Sequence, residues 1–410
     1  MSALGRRMAD YALPPGVDRA TVTALTAGHV GSDLFQGAVP ALVVFWVAER
    51  AWSYSDAGLL VLAGSLASSL LQPLAGALGD RVRSAWLVPA GLVLASAGLA
   101  GAGVLASFPL AFAALVVGGL GVALFHPEAV RAVTAASGPH AGAAVGLFAV
   151  GGSAGFALGP ALTAPAVLLW GLEGMVGVAL VPLLAAAWIV VVGRRPAVVV
   201  AQAGAGGGAD RPSHPVRFAA AAVAATLRSG FMFGLMAFVP VWFAADLGLG
   251  AGAGNAAVTA MLVAGAVGTY VGARVGDRIG YPLVAVGSLA IVVPLAAVLP
   301  FLGASAWPVA VLLLLVIGMM MDANFYPLVL IAQDALPGRV GLSTGVTIGL
   351  SVGIGAALTS VLGAITDDRG PTTAMHAATV LAIAAFVVAL PLSGRRPWRR
   401  AETATTSPAA

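Results

Sequence analysis

The chain has no cysteine and no lysine, and only 9% of its 410 residues are charged. Lack of cysteine excludes a disulfide framework, thiol catalysis and any cysteine metal site. Scarcity of charge excludes an ordinary soluble domain, in which roughly 25% of residues are charged. No Gly-Lys phosphate loop occurs, so direct ATP hydrolysis has no motif to support it. The five histidines, His29, His126, His140, His214 and His376, are dispersed without metal-ligand spacing. No Ser-His-Asp arrangement can be argued from their order. The expectation is therefore no enzyme, no cofactor and no metal. The pI is near 10.1, but arginines sit at segment ends instead of clustering on a soluble module, which argues against nucleic acid.

What is present is apolar. Hydrophobic residues make up 60% of the chain, and the mean hydropathy is +1.00. Lipid is then the solvent. A spanning helix needs about 20 apolar residues, and twelve candidate segments can be marked. In the first half they are Val22–Val47, Ala57–Leu78, Ala85–Leu105, Leu110–Val130, Ala141–Leu168 and Met175–Val192. In the second they are Phe218–Phe243, Ala256–Val275, Leu283–Leu302, Val309–Ile331, Leu342–Ile365 and Ala374–Leu390. Helices satisfy their own backbone in lipid, so the expected fold is an all-α integral membrane protein with two six-helix bundles. The expected parts are a bundle at 1–193, a linker at 194–217, a bundle at 218–394 and a tail at 395–410. Met1 to Ala20 is polar and has no short apolar core before a cleavage site, so no removable signal peptide is expected.

Two features point to duplication. Gly76, Gly79, Asp80 and Arg81 close the second segment with a charged turn, which recurs at Gly276-Asp277-Arg278. Phe125-His126-Pro127 matches Phe325-Tyr326-Pro327. Repeated halves place a substrate site near the membrane midplane, at their interface. With a cytoplasmic N-terminus, every arginine outside the segments lies on the cytoplasmic side except Arg50 and Arg369. That asymmetry predicts a cell-membrane protein with both termini cytoplasmic. Trp46, Trp52, Trp86 and Trp307 lie near segment ends and read as interfacial anchors.

Polar residues inside the apolar segments are the candidate site. Asp33 falls mid-segment with His29 one turn earlier on the same face. A charge at mid-bilayer costs about 2.5–3.5 kcal/mol on insertion scales, and low dielectric penalises the charged form. Asp33 is thus a candidate proton carrier, or else makes a structural hydrogen bond to a neighbouring helix. Glu128 and Arg131 are one turn apart and can pair. Arg228, well inside a segment, calls for an anionic partner, either a helix acid or an acidic substrate. Asp322 and Asn324 are the second-half polar candidates, and Gln36, Gln72 and Tyr326 can add hydrogen bonds or serve the core. Gly151, Gly155 and Gly159, followed by Pro160, offer a small-residue face for close helix approach.

These residues carry a resemblance. His29 to Gln36, Ala67 to Arg81, Phe125 to Glu128 with Arg131, and Val150 to Pro160 are similar to motifs of the major facilitator superfamily. Leu227-Arg228-Ser229 and Gln333 to Pro337 resemble the branch that includes the fosmidomycin-resistance exporter. The resemblance implies alternating access by a secondary transporter of a small molecule, with His126 and Glu128 serving its central cavity. It implies that Asp80, Arg81, Asp277 and Arg278 help latch a cytoplasmic gate, unless that turn only ends two helices. Gly159-Pro160 resembles an antiporter-associated signature, which favours proton-coupled efflux of a drug-like or metabolic compound. Uptake by symport or uniport, and a non-transporting receptor or assembly factor, stay open. One chain holds both halves, so a monomer suffices.

Overall fold

A computed structural model describes residues 16–82, 86–137, 141–193, 212–337, 339, 342–343 and 345–393. At 73–82, and at positions 134, 141–143, 145, 273 and 277, the description stops at the backbone. The expected linker at 194–217 lies mostly outside the described residues, and the tail at 395–410 lies wholly outside them.

Among the described residues every regular element is a helix, and eleven are long and apolar enough to cross a membrane, or twelve with one bent pair. The bent pair, Arg19–Ala41 and Val43–Arg50, turns by 51° and forms the first span. Pro40, with no N–H to donate, lies at that bend. The next five spans are Tyr54–Val82, Leu87–Val104, Phe108–Ala136, Ala141–Trp170 and Met175–Gly193. Pro215–Ala245, Gly250–Ile279 and Tyr281–Val298 follow. The tenth span joins Trp307–Ala323 to Phe325–Ala335 at Asn324. The eleventh opens with a π-helical turn, Gly345–Leu350, before Ser351–Arg369, and Pro371–Ala389 is the twelfth. Alternate crossing puts the start of the first span and the end of the twelfth on one face, here called the linker face.

The two halves repeat in their packing. The first span packs on the fifth, the second on the fourth and the third on the sixth, as seventh on eleventh, eighth on tenth and ninth on twelfth. Hydrogen bonds repeat too. The Asp18 backbone N–H donates to the Ala136 carbonyl, and His214 does the same to Ala335. Ser96 Oγ donates to Ala179 O, tying third to sixth span, and Thr379 Oγ1 donates to Ala296 O, tying twelfth to ninth. Val39-Pro40 and Val239-Pro240 hold matching places in the first and seventh spans.

Two expectations need correction. Gly79-Asp80-Arg81 is not a turn, because the second helix runs on to Val82; the eighth likewise passes through Gly276-Asp277-Arg278 and stops at Gly280, where φ is 96°. Glycine and aspartate suggest a turn in water, but continuing the helix keeps its backbone satisfied near lipid. Trp46 is no interfacial anchor. It is fully buried, and its indole N–H donates to the Ala102 carbonyl at 3.0 Å. Trp86 and Trp307 are exposed.

Candidate functional site

The first span carries the centre of the first-half site. Four-residue spacing brings His29 and Asp33 together, with Nε2 3.3 Å from Oδ2. The fourth span adds His126, whose Nε2 lies 3.1 Å from Asp33 Oδ1. Gln36 donates to the same oxygen at 3.3 Å. Each ring is fixed from behind. His29 Nδ1 lies 2.7 Å from the Phe148 carbonyl and His126 Nδ1 2.9 Å from that of Val122. Phe148 also stacks on the His29 ring at 4.1 Å. Asp33 is 6% exposed, so its charge is met by these side chains more than by water.

Histidines far apart in sequence therefore converge, although their order gave no ligand spacing. The three groups offer ligand atoms within 4.8 Å of one another, close enough for shared protons or one small cation to bridge. Glycines of the fifth span make the approach possible. A Cβ at Gly152 would lie 2.7 Å from both Asp33 Oδ2 and His29 Nε2. At Gly155 it would meet Asp33 Cβ at 3.0 Å, at Gly151 the Thr26 carbonyl at 2.7 Å, and at Gly159 the backbone of Gly37. Pro160 follows inside the same helix and is buried.

Glu128 and Arg131 pair at 2.6 Å on the linker-face end of the fourth span. His126, two residues before Glu128, turns instead to Asp33. Gln72 is partly buried near the linker-face end of the second span.

The second-half site uses the matching helix pair, seventh and tenth. Arg228 is 5% exposed. Its Nε donates to the Met321 carbonyl at 2.8 Å and to Asn324 Oδ1 at 2.7 Å. Nη2 donates to Asp322 Oδ1 at 2.7 Å, and the guanidinium lies 5.1 Å from the Phe325 ring centre. The joint at Asn324 interrupts the helical ladder, and the Met321 carbonyl at its edge accepts from the arginine. The helix acid, one of two partners expected for Arg228, is thus Asp322. Gly265 of the eighth span leaves room for the other Asp322 oxygen. Tyr326 is 39% exposed and meets Phe325 edge-on.

The gate candidates divide. At Gly76, Gly79, Asp80, Arg81 and Asp277 the side-chain arrangement lies outside what is described. A Cβ at Gly276 would strike the Tyr281 ring, and Arg278 is exposed. Sequence reasoning missed a contact on the opposite face. Asp367, ending the eleventh span, accepts from the Tyr54 and Ser55 backbone N–H groups at 2.8 and 2.9 Å and from Ser55 Oγ at 2.6 Å. One half's acid thereby caps a helix of the other, where the helix dipole favours negative charge. Below it, Gly58 packs on Thr359 and Ser360, and Gly363 on Tyr54. Fifth and eighth spans meet through Leu168 and Gly252. A separate apolar cluster near the linker face, with Leu25, Leu92, Phe125 and Phe148, draws on the first half alone.

The sequence model of the Major Facilitator Superfamily matches residues 25–348. The Fosmidomycin resistance protein of Escherichia coli (strain K12) is 30% identical over 361 residues, covering 84% of this chain and 86% of that protein. The uncharacterized MFS-type transporter YfnC of Bacillus subtilis (strain 168) is 30% identical over 375 residues, covering 88% and 90%. Among solved structures, a bacterial homologue of the human lysosomal transporter Spinster, inward-facing and unoccupied, superposes with TM-score 0.76 at 16% identity, covering 92% of this chain and 98% of that one. The nucleoside transporter NupG superposes with TM-score 0.72 at 12% identity, covering 91% and 98%. The chain thus belongs to the Major Facilitator Superfamily, and it is a multi-pass secondary transporter working by alternating access, not an enzyme.

Proposed function

We propose that the protein exports a small drug-like or metabolic compound in exchange for protons. The observation that carries this reading is the His29–Asp33–His126 cluster, a buried acid at mid-depth with two titratable rings against it. Such a group exchanges protons without leaving its helix. The 30% identity to the Fosmidomycin resistance protein supports efflux over uptake, as does Gly159-Pro160 in the fifth span.

In the cycle we infer, the halves 1–193 and 218–394 rock about the polar centre, joined by the linker 194–217, with 395–410 as a cytoplasmic tail. Both termini lie in the cytoplasm, the membrane is the cell membrane, and a monomer suffices. Among the described residues, contacts between the halves gather on the face opposite the linker, around Asp367, which supports a conformation closed to the outside. Return to the outward state closes the linker face, where Asp80, Arg81, Asp277 and Arg278 act as the latch. Asp33 takes up protons from outside as the compound leaves. A proton moving down about 100 mV supplies roughly 2.3 kcal/mol before any pH gradient.

The test is a susceptibility screen over diverse toxic compounds, followed by flux of any hit in inverted vesicles. Acidifying the lumen should drive accumulation, and dissipating the gradient should stop it. Accumulation in right-side-out vesicles only would make the protein an importer and overturn the reading.

A further inference from the structure

We propose that the His29–Asp33–His126 cluster binds two exchangeable protons, one for each nitrogen–oxygen contact, so that its ligand is a proton pair. The proposal rests on the transport reading for its use, but the proton count stands on hydrogen-bond geometry alone.

Each ring has its Nδ1 on a backbone carbonyl, Phe148 O for His29 and Val122 O for His126. A carbonyl only accepts, so both Nδ1 atoms carry hydrogen. An uncharged ring then presents a bare Nε2, and both Nε2 atoms face Asp33. Without further protons each contact sets two lone pairs against each other in a low-dielectric site. The contacts use different carboxylate oxygens, Oδ2 for His29 and Oδ1 for His126. A single proton can relieve only one of them.

Two arrangements satisfy both contacts. Either the carboxylate lies between two imidazolium rings, or a carboxylic acid donates to one neutral ring while the other, charged, ring donates to it. Both hold two protons and carry a single positive charge. Losing the pair leaves a single negative charge. No bond other than N–H or O–H changes, so the protons pass between water and these atoms without a redox partner.

The surroundings leave that charge to the cluster itself. The third, fifth and sixth spans carry no ionisable side chain. On the fourth, Glu128 and Arg131 pair with each other. On the second, Tyr54 and Asp56 lie at one end and Asp80 and Arg81 at the other. The first span's own Arg19, Glu49 and Arg50 are at its ends, and Arg228 of the seventh is held by Asp322. A metal ion suits the site less well. Three protein ligands need at least one more, and the close approach of Gly152 leaves no space for it on the fifth-span side. A proton needs no such space.

The consequence is quantitative. An exporter drawing two protons per molecule squares the concentration ratio that one proton would sustain.

The full-length protein in nanodiscs, freed of metal, tests this without any substrate. Between about pH 9 and pH 5, spanning ordinary histidine titration, potentiometric uptake should exceed that of a His29→Gln/Asp33→Asn/His126→Gln variant by two protons. The milder His126→Gln, whose amide can still donate to Asp33, should exceed the triple variant by one. In wild type alone, ¹⁵N-histidine NMR should show both rings keeping the Nδ1 hydrogen while Nε2 loses its own. An excess of one or none, neutral rings protonated on Nε2, or stoichiometric zinc in protein as isolated would overturn the proposal. An excess of two with no proton movement during transport would leave the site standing and remove the exchange reading.

Discussion

The two halves place charge on the same helix pairs but use opposite chemistry. In the first half an acid in span one meets two imidazoles, His29 and His126. In the second, an arginine in span seven meets an acid and an amide of span ten. Position by position the repeat has diverged: Gly28 stands where Arg228 does, Asp33 where Phe233 does, and His126 where Tyr326 does. Imidazole can change charge in the physiological range, whereas guanidinium cannot. One half therefore gathers two rings whose charge can change, and the other a guanidinium whose charge is fixed against Asp322.

Substitutions can break that division. The largest effect belongs to Asp33→Asn, which should reduce gradient-driven flux in vesicles to the level of empty liposomes while the protein still folds in membranes. Unchanged gradient-dependent flux would remove Asp33 from the coupling role. Next is Arg228→Ala. Stranding Asp322 should destabilise the fold by about 3–5 kcal/mol, as breaking a buried pair does, read by chemical unfolding in detergent. Arg228→Lys should recover part of that, since an ammonium restores the charge but not the planar fork whose Nε and Nη2 reach separate acceptors. Third, Gly152→Ala should drive a methyl against Asp33 and His29, costing about 1–3 kcal/mol of packing. Its sharper readout is a changed ¹⁵N signal for His29 beside an unchanged one for His376. The smallest effect is expected of Asp367→Asn. Weakening the cross-half cap by about 1 kcal/mol should raise far-face opening roughly fivefold. The native absence of cysteine makes this measurable as thiol labelling of a single Ser360→Cys reporter.

Local spacing made part of the site legible. His29 with Asp33, and Glu128 with Arg131, are helical neighbours that periodicity alone brings together. Arg228 announced its need of an anion because an isolated cation at mid-depth is costly. What the chain could not disclose is the register between helices. Nothing near His126 says that it meets Asp33, and nothing near Asp322 says that it meets Arg228. Hydropathy marked the twelve segments because lipid imposes one rule on all of them. It misjudged Trp46, since apolar surroundings in protein and in headgroups look alike in sequence, and it read Gly79-Asp80-Arg81 as a turn where the helix goes on.

The Asp367 clasp has a genetic consequence. Two of its three partners are main-chain amides at 54 and 55, which every amino acid but proline supplies. Drift at 54 would leave the attachment intact and drift at 55 would remove only the Ser55 hydroxyl, so covariation would not pair residue 367 with 54, and proline scanning would expose the main-chain link.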